Sequence, residues 1–166
     1  MSFLRDWMSY RTFFDASDYY TGPPFDDAAV ARSEAVLGYK LPASYLRLLR
    51  VKNGGVPRRQ CFPVSGDYWP EDHVRIVTLF GIGGEWGVDS AQFGSRKMIA
   101  QGGFPEIGVF LGWTPTAGHD GFLLDYSGCG PQGEPRVTFA DPEGEYTEVL
   151  APDFATFFRK LAARPR

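Results

Sequence analysis

The sequence has 166 residues, of which 43% are hydrophobic and 16% aromatic, so composition excludes a disordered chain and suits one folded domain over residues 1–166. No apolar run reaches the roughly 18 residues of a membrane span, and charged residues interrupt the start of the chain where a secretory signal would be apolar. The formal net charge of -3 is small, but it hides a strong separation of charge along the chain.

The two cysteines, Cys61 and Cys129, lie far apart in the sequence. This usage is more typical of a reduced cytosolic chain than of a disulfide scaffold, although a single bridge stays open as an alternative. We therefore expect a cytoplasmic protein without a membrane anchor.

Residues 26–55 have the pattern of two short helices joined by a turn. Asp26 or Asp27 suits the N-cap of the first helix, and Gly38 suits the left-handed position just after its end. Pro42 fits the first turn of the second helix, where its missing N–H costs nothing. The run Asn53-Gly54-Gly55 then ends this helix with residues that tolerate positive φ. The apolar stripe that should pack on a core consists of Leu41, Tyr45, Leu48 and Leu49.

Glu34 lies on the same stripe of the first helix as Val30 and Leu37. A carboxylate in such a place needs hydrogen-bond partners. We interpret Glu34 as bonded to backbone or to a neighbouring side chain where the two helices join, in preference to a ligand-binding role.

The rest of the chain has the pattern of strands followed by one helix. The segments with strand-like composition are 74–80, 107–113, 121–126, 136–140 and 146–150. Residues 89–101 are predicted to form one or two short helices broken near Gly94. A closing helix is predicted from the apolar spacing of Phe154, Phe157, Phe158 and Leu161 after Asp153. The order predicts an α+β fold with N-terminal helices, a central mainly antiparallel sheet of five or six strands, and a C-terminal helix packed on it.

The ordered motifs resemble the SUKH superfamily in its cell-wall-assembly-regulator (Smi/Knr) branch. The first is E-x-x-L-G-x-x-L-P-x-S-Y-x-x-L-L-x-x-x-N-G-G from residue 34, followed by L-F-G-I-G at 79–83 and F-x-x-F-x-x-x-L at 154–161. The resemblance covers about residues 28–162 and leaves residues 1–25 as an aromatic N-terminal extension. The structural motif residues that it implies are Glu34, Leu37, Gly38, Leu41, Pro42, Tyr45, Asn53, Gly54, Gly55, Phe80, Gly81, Asp125, Phe154 and Phe157.

The sequence offers weak signals for catalysis or cofactors. The glycines of 81–87 miss the dinucleotide-binding spacing and are better interpreted as a bend where two backbone segments pass closely. The histidines and cysteines lack the short spacing of structural zinc sites. Ser127, His119 and Asp125 could form a triad, but Ser127 is not in a nucleophile elbow. We expect no enzyme activity, no cofactor and no metal.

Charge is more informative. Residues 32–59 hold seven basic residues against one acidic residue, whereas residues 60–153 hold four basic and fourteen acidic residues. An acidic face of this kind attracts a basic protein and repels nucleic acid. The alternative is a solvated surface that only keeps an aromatic-rich domain soluble.

The resemblance implies a protein-binding function, since bacterial SUKH proteins are mostly immunity proteins that neutralise a cognate polymorphic toxin, often a nuclease or deaminase. We therefore predict such a protein with a basic toxin as its partner. The candidate partner-binding residues are Asp67, Trp69, Glu71, Asp72, Glu85, Trp86, Trp113 and Asp120. For each tryptophan the alternative is core packing. Two other functions stay open: a regulatory or scaffold module like the fungal branch, and an undetected hydrolase.

Overall fold

The computed structural model describes residues 9–163. The helices whose two ends lie within this range are α1 (Asp27–Leu37), α2 (Ala43–Val51), α3 (Ser95–Gly102) and α4 (Phe154–Lys160). The strands in this range are β1 (Cys61–Pro63), β2 (His73–Arg75), β3 (Thr78–Leu79), β4 (Gly108–Trp113), β5 (Gly121–Asp125), β6 (Arg136–Asp141) and β7 (Tyr146–Ala151).

The central sheet is an antiparallel meander. Its five strands lie in chain order from β3 to β7, and each pairs with the next. The connections from β4 onward are turns and loops, whereas residues 80–107, which include α3, connect β3 to β4. Strands β1 and β2 form a separate two-stranded antiparallel sheet. The predicted α+β fold, with helices before a mainly antiparallel sheet and a helix after it, is confirmed.

The helix ends follow the capping residues in the sequence. Asp26 caps α1 by accepting a hydrogen bond from the Ala29 amide at 2.8 Å, and Gly38 closes the helix with φ of 79°. Pro42 is the N-cap of α2. Asp153 caps α4 through the Thr156 amide at 2.7 Å. The Asp26 and Asp153 side chains thereby satisfy amides that the helices themselves leave without partners, whereas Pro42 makes no such bond.

Helix α4 joins the two sheets through its aromatic side chains. The Phe157 ring lies 5.0 Å from that of Phe62 on β1 and 5.7 Å from that of Phe122 on β5, measured between centroids. Phe154 contacts Tyr45 of α2 with an edge-on geometry at 5.4 Å. Aromatic side chains bury a large apolar area, so α4 closes the core over the sheet.

The segment predicted as one strand at 74–80 is divided between the two sheets. The Ile76 amide donates to Gln60 next to β1, whereas the Val77 amide donates to Trp113 at the end of β4. The chain therefore passes from one sheet to the other between Ile76 and Val77. The apolar content of the segment predicts a strand but does not predict this change of sheet. Strand β1 was not predicted, since it has three residues and ends in Pro63. Only one regular helix, α3, forms within 89–102, and Gly94 is its N-cap.

The aromatic N-terminal extension packs against the domain from residue 10 onward. Tyr10, Phe13 and Phe14 are buried, and the Tyr10 and Phe13 rings lie 4.7 Å and 4.9 Å from that of Phe158. The first eight residues of the extension predicted for residues 1–25 lie outside the described residues. The described part of the extension contributes to the core beside α4.

Candidate partner-binding site

A groove of about 580 Å³ lies between the loop of residues 64–72, strand β2 and the β4–β5 turn. The half-buried Trp69 supplies apolar surface, and the buried Val74 and Phe139 lie at the base of the groove. Glu71 and Asp120 bring carboxylates to it from two different segments of the chain. We call this feature the acidic groove, defined by Trp69, Glu71, Val74, Asp120 and Phe139.

Hydrogen bonds fix the aromatic side of the acidic groove. The Trp69 indole Nε1 donates to Glu148 Oε2 at 2.8 Å, and the Tyr68 hydroxyl donates to Asp141 Oδ2 at 2.6 Å. Tyr68 also stacks on Tyr146 with centroids 3.6 Å apart. Burial, together with the bond to Asp141, raises the pKa of Tyr68, and the same bond lowers the pKa of Asp141. The loop is therefore anchored to β6 and β7 with defined side-chain positions.

The carboxylates beside the groove have polar neighbours but no cationic partner of fixed charge. Glu71 and Asp72 contact the two ring nitrogens of His73 at 3.0 Å and 2.9 Å. Asp120 Oδ1 accepts hydrogen bonds from the hydroxyls of Thr114 and Thr116. Across residues 9–163, Glu71, Asp72 and Asp120 form no ion pair with lysine or arginine. Within the described residues, no lysine or arginine therefore neutralises their negative charge.

His119 lies on the same turn as Asp120. Its Nδ1 lies 2.7 Å from Glu143 Oε1, on the turn that joins β6 to β7. The hydrogen bond to Glu143 and the charge of that carboxylate raise the pKa of His119. The histidine thus links two neighbouring turns near the acidic groove.

The predicted partner-binding residues fall into two groups. Asp67 is exposed on the loop that carries Trp69, and Asp72 follows Glu71 at the edge of the groove. Trp86 and Trp113 form a second group with Glu85, and neither tryptophan lines the groove. The predicted residues therefore do not form a single continuous face.

Trp86 and Trp113 are partly buried in an aromatic cluster. The Trp86 ring stacks on Phe93 at 4.4 Å and meets the edge of Tyr20 at 5.0 Å. The Trp113 ring contacts Phe80 at 5.1 Å, and its Nε1 is buried with no hydrogen-bond partner among the described residues. These contacts are typical of core packing, which is the alternative to a binding role for these two tryptophans.

Five of the family-motif residues meet at a buried junction, which we call the motif junction: Tyr45, Asn53, Gly54, Phe80 and Gly81. The Asn53 side chain donates to the carbonyls of Pro23 and Ile82 at 2.7 Å and 2.8 Å and accepts from the Ile82 amide at 2.9 Å. The Tyr45 hydroxyl donates to the Phe80 carbonyl. These bonds tie the end of α2 to the glycine-rich bend after β3.

Two glycines allow the close approach at the motif junction. A Cβ on Gly81 would lie 2.5 Å from the Asn53 carbonyl oxygen, and a Cβ on Gly54 would lie 2.6 Å from the Gly81 nitrogen. Gly54 also has φ of 85°, a conformation that favours glycine. The glycine run at 81–87 is thus a bend where two backbone segments pass closely.

Two motif carboxylates have structural partners. Glu34 Oε1 accepts a hydrogen bond from the Leu41 amide at 2.9 Å, which joins α1 to the start of α2. Asp125 accepts from the Ser127 amide at 2.9 Å and from Thr138 Oγ1 at 2.9 Å, and it pairs with Arg136 at 2.9 Å. Burial raises the pKa of Asp125, but the bonds from Ser127 and Thr138 and the charge of Arg136 outweigh it and lower that pKa overall.

The residues considered for catalysis do not form a hydrogen-bonded triad within residues 9–163. Ser127 Oγ donates to Asp125 at 2.6 Å, whereas His119 pairs with Glu143. Cys61 is buried and Cys129 is exposed, and they do not form a disulfide with each other. Over the described range, 9–163, no three His, Cys, Asp or Glu side chains converge in a way that could hold a metal ion.

A model of the SMI1 / KNR4 family (SUKH-1) matches residues 24–160. The chain belongs to this family. The match contains both the motif junction and the acidic groove, and it begins after the aromatic segment that packs on α4. Comparison with curated proteins found no match, and neither did comparison with solved structures. No helix in the described part of this SMI1 / KNR4 chain is long and apolar enough to cross a membrane.

Sequence reasoning missed several residues that shape the acidic groove in this SMI1 / KNR4 domain. Val74 and Phe139 form its base, and Thr114 and Thr116 hold Asp120. They come from segments far apart in the chain, so local spacing carries no signal for their meeting. The adjacent aromatic residues Tyr68 and Trp69 in an acidic loop are a sequence signal for this groove, but the predicted binding residues include only Trp69.

Proposed function

We propose that this SMI1 / KNR4 chain is a non-catalytic, cytoplasmic immunity protein that binds a basic toxin and neutralises it by direct contact. Membership of a family whose members are commonly immunity proteins supports this function. The observation that carries it is the acidic groove, where Glu71, Asp72 and Asp120 surround apolar surface without lysine or arginine partners among residues 9–163.

The physical basis is charge complementarity around a central apolar contact. Clustered carboxylates attract a basic partner and raise its association rate, and they disfavour acidic partners. A partly buried tryptophan such as Trp69 supplies the apolar contact that interfaces concentrate near their centre. Because nucleic acid is repelled by the same carboxylates, the groove favours a basic protein such as a nuclease or deaminase toxin.

The test is co-purification from the native host. The tagged chain is expressed at its normal level, washed in moderate salt, and the retained proteins are identified by mass spectrometry. One stoichiometric toxin-like protein, whose activity is inhibited by the purified chain, is the expected result. An assortment of signalling proteins without a toxin would contradict the proposal and would favour a regulatory or scaffold module.

Charge-reversal variants locate the interface. The pair Glu71→Lys and Asp72→Lys changes the groove, whereas Glu85→Lys changes the separate group with Trp86. A matched control, Asp18→Lys with Glu106→Lys, reverses two exposed carboxylates elsewhere. We expect the groove pair alone to release the partner. Release by Glu85→Lys with retention by the groove pair would move the interface to the second group.

A further inference from the structure

We propose that the acidic groove binds the side chain of an arginine presented by a protein partner. The identity of the partner rests on the proposed function, whereas the chemistry of the groove rests on the described contacts. The proposal concerns one guanidinium head group and its stem, not a general attraction between charged surfaces.

The shape and lining of the groove suit a long side chain. Its volume of about 580 Å³ accommodates a side chain together with part of the backbone that carries it. Val74 and Phe139 are only 8% and 1% exposed, so they form a base that belongs to the core, and the accessible apolar surface is that of the half-buried Trp69 with the exposed Pro70 and Pro115. Apolar surface of this kind packs against the methylene stem of a basic residue while the charged end reaches polar groups.

Carboxylates on two segments are placed for the head group. Glu71 belongs to the loop before β2, and Asp120 belongs to the β4–β5 turn, so a cation in the groove has an acceptor on each segment. Charge-assisted hydrogen bonds from a guanidinium to carboxylates are the strong ones among protein hydrogen bonds. The two acceptors therefore define where the charged end of the ligand lies.

No lysine or arginine among residues 9–163 pairs with these two acceptors. Arg75 also lines the groove, but its Nη2 donates to Gln60 Oε1 at 2.6 Å, and Arg75 forms no ion pair in the described range 9–163. His73 lies against Glu71 and Asp72, which leaves Asp120 with hydroxyl donors alone on Oδ1. An external cation is the group that complements this arrangement.

Arginine fits better than lysine for two reasons. A guanidinium is planar and weakly hydrated, so it stacks on an aromatic face such as Trp69 at a lower cost than an ammonium group. Its fork of N–H groups can also reach two carboxylates at once. Because Trp69 and Asp120 are already held by Glu148 and by threonine hydroxyls, little side-chain entropy is lost on binding.

The test is an NMR titration of the full-length, isotope-labelled chain with acetyl-arginine methylamide. The neutral isostere acetyl-citrulline methylamide is the control ligand, and acetyl-lysine methylamide is the comparison. We expect the arginine probe to produce saturable shifts of the Trp69 indole and of the Val74 and Asp120 amides. The lysine probe should bind more weakly, and citrulline should give no saturable shift at these positions.

Variants then test the two acceptors. Glu71→Gln should weaken the arginine probe about threefold, and Glu71→Gln with Asp120→Asn about tenfold, since partly exposed charge pairs each contribute modestly. A matched control, Asp18→Asn with Glu106→Gln, removes two carboxylates outside the groove and should leave binding unchanged. The single Glu71 variant keeps the test valid if the double variant disturbs the turn, because the Glu71 side chain is 60% exposed.

Three results would overturn the proposal: arginine shifts that map outside the groove, equal binding of citrulline, or unchanged binding in the Glu71 variant. Its failure is distinguishable from failure of the proposed function. A captured toxin whose affinity is unaffected by the Glu71 variant would contradict the arginine proposal and keep immunity. Saturable arginine binding with no toxin captured would support the groove chemistry and contradict immunity.

Discussion

The motif junction and the acidic groove use polar groups in opposite ways. At the junction, Asn53 is 4% exposed and its amide meets three backbone groups, so its polar atoms are directed inward and paired. At the groove, Glu71 and Asp120 are directed to the surface, and no lysine or arginine of the described chain pairs with them. The polar groups of the junction stabilise the fold, and we propose that those of the groove bind a partner.

This contrast explains why the family motif reports the fold and says little about the ligand. The motif residues Tyr45, Asn53 and Gly81 hold the end of α2 against the bend after β3, which is a requirement of the fold of this chain. The groove residues lie on a loop and a turn that the same scaffold positions. Binding residues are commonly found on loops carried by a rigid scaffold. Substitutions in the two regions should therefore differ in both the size and the kind of their effect.

The largest effect is expected from Asn53→Ala. The change removes the acceptor of the Ile82 amide and the donor to the carbonyls of Pro23 and Ile82, in a site with little access to water. We expect the free energy of unfolding to fall by about 3 to 4 kcal/mol, because buried polar groups without partners are costly. Urea denaturation at pH 7 measures it, with the exposed Gln132→Ala as the control. A loss below about 1 kcal/mol would show that the junction does not depend on this amide.

Much of the fold could be predicted from the sequence because its signals are local. Asp26, Gly38 and Asp153 mark helix ends through their own backbone preferences, and strand composition located β4 to β7. The division of 74–80 between two sheets could not be predicted, since it depends on Ile76 and Val77 meeting partners far away in the chain.

The candidate site was less predictable for the same reason. Charge and aromatic content predict a binding role for Trp69, Glu71 and Asp120, and these three residues line one groove. The same criteria predict a binding role for Glu85 and Trp86. These two residues lie in the other group, where the Trp86 ring stacks on Phe93. Sequence identifies which side chains suit an interface, but only tertiary contacts decide which of them share a surface.

The second prediction compares a carboxylate that pairs with an arginine with the groove carboxylates, which have no lysine or arginine partner within residues 9–163. Asp125→Asn removes a charge whose side chain is 3% exposed and paired with Arg136, and we expect a loss of about 2 to 3 kcal/mol at pH 7. The folded pKa of Asp125 lies below its ordinary value of 3.8, so its stabilisation is present above that pH and is lost as pH falls through the folded pKa. The difference between wild type and variant should therefore shrink below about pH 4.

Urea denaturation at pH 7, 5 and 3 measures this pH dependence. The exposed Glu145→Gln serves as the control, because it removes one carboxylate outside both regions. A difference between wild type and Asp125→Asn that stays constant down to pH 3 would mean that the charge of Asp125 does not stabilise the fold.

A steric change at the motif junction should have a smaller effect. Gly81→Ala places a methyl group 2.5 Å from the Asn53 carbonyl oxygen, so the bend must shift, and we expect a loss of about 2 kcal/mol. Gly128→Ala is the matched control, because its Cβ would meet only Arg136 side-chain atoms at 3.8 Å and beyond. Thermal denaturation of both variants measures the difference. Equal stability of the two variants would show that the bend accommodates a methyl group at residue 81 despite the short distance, and it would contradict the prediction.

The smallest effect on stability is expected in the acidic groove itself. Glu71→Gln removes a carboxylate that is 60% exposed and contacts His73, and such surface pairs contribute about 0.5 kcal/mol or less. Urea denaturation at pH 7 should therefore place this variant close to wild type and to the exposed Glu106→Gln control. A loss above about 1 kcal/mol would break the contrast between the regions, because it would make Glu71 part of the fold's own stabilisation. A near-neutral result, together with weakened partner binding, would mean that this charge is kept for recognition.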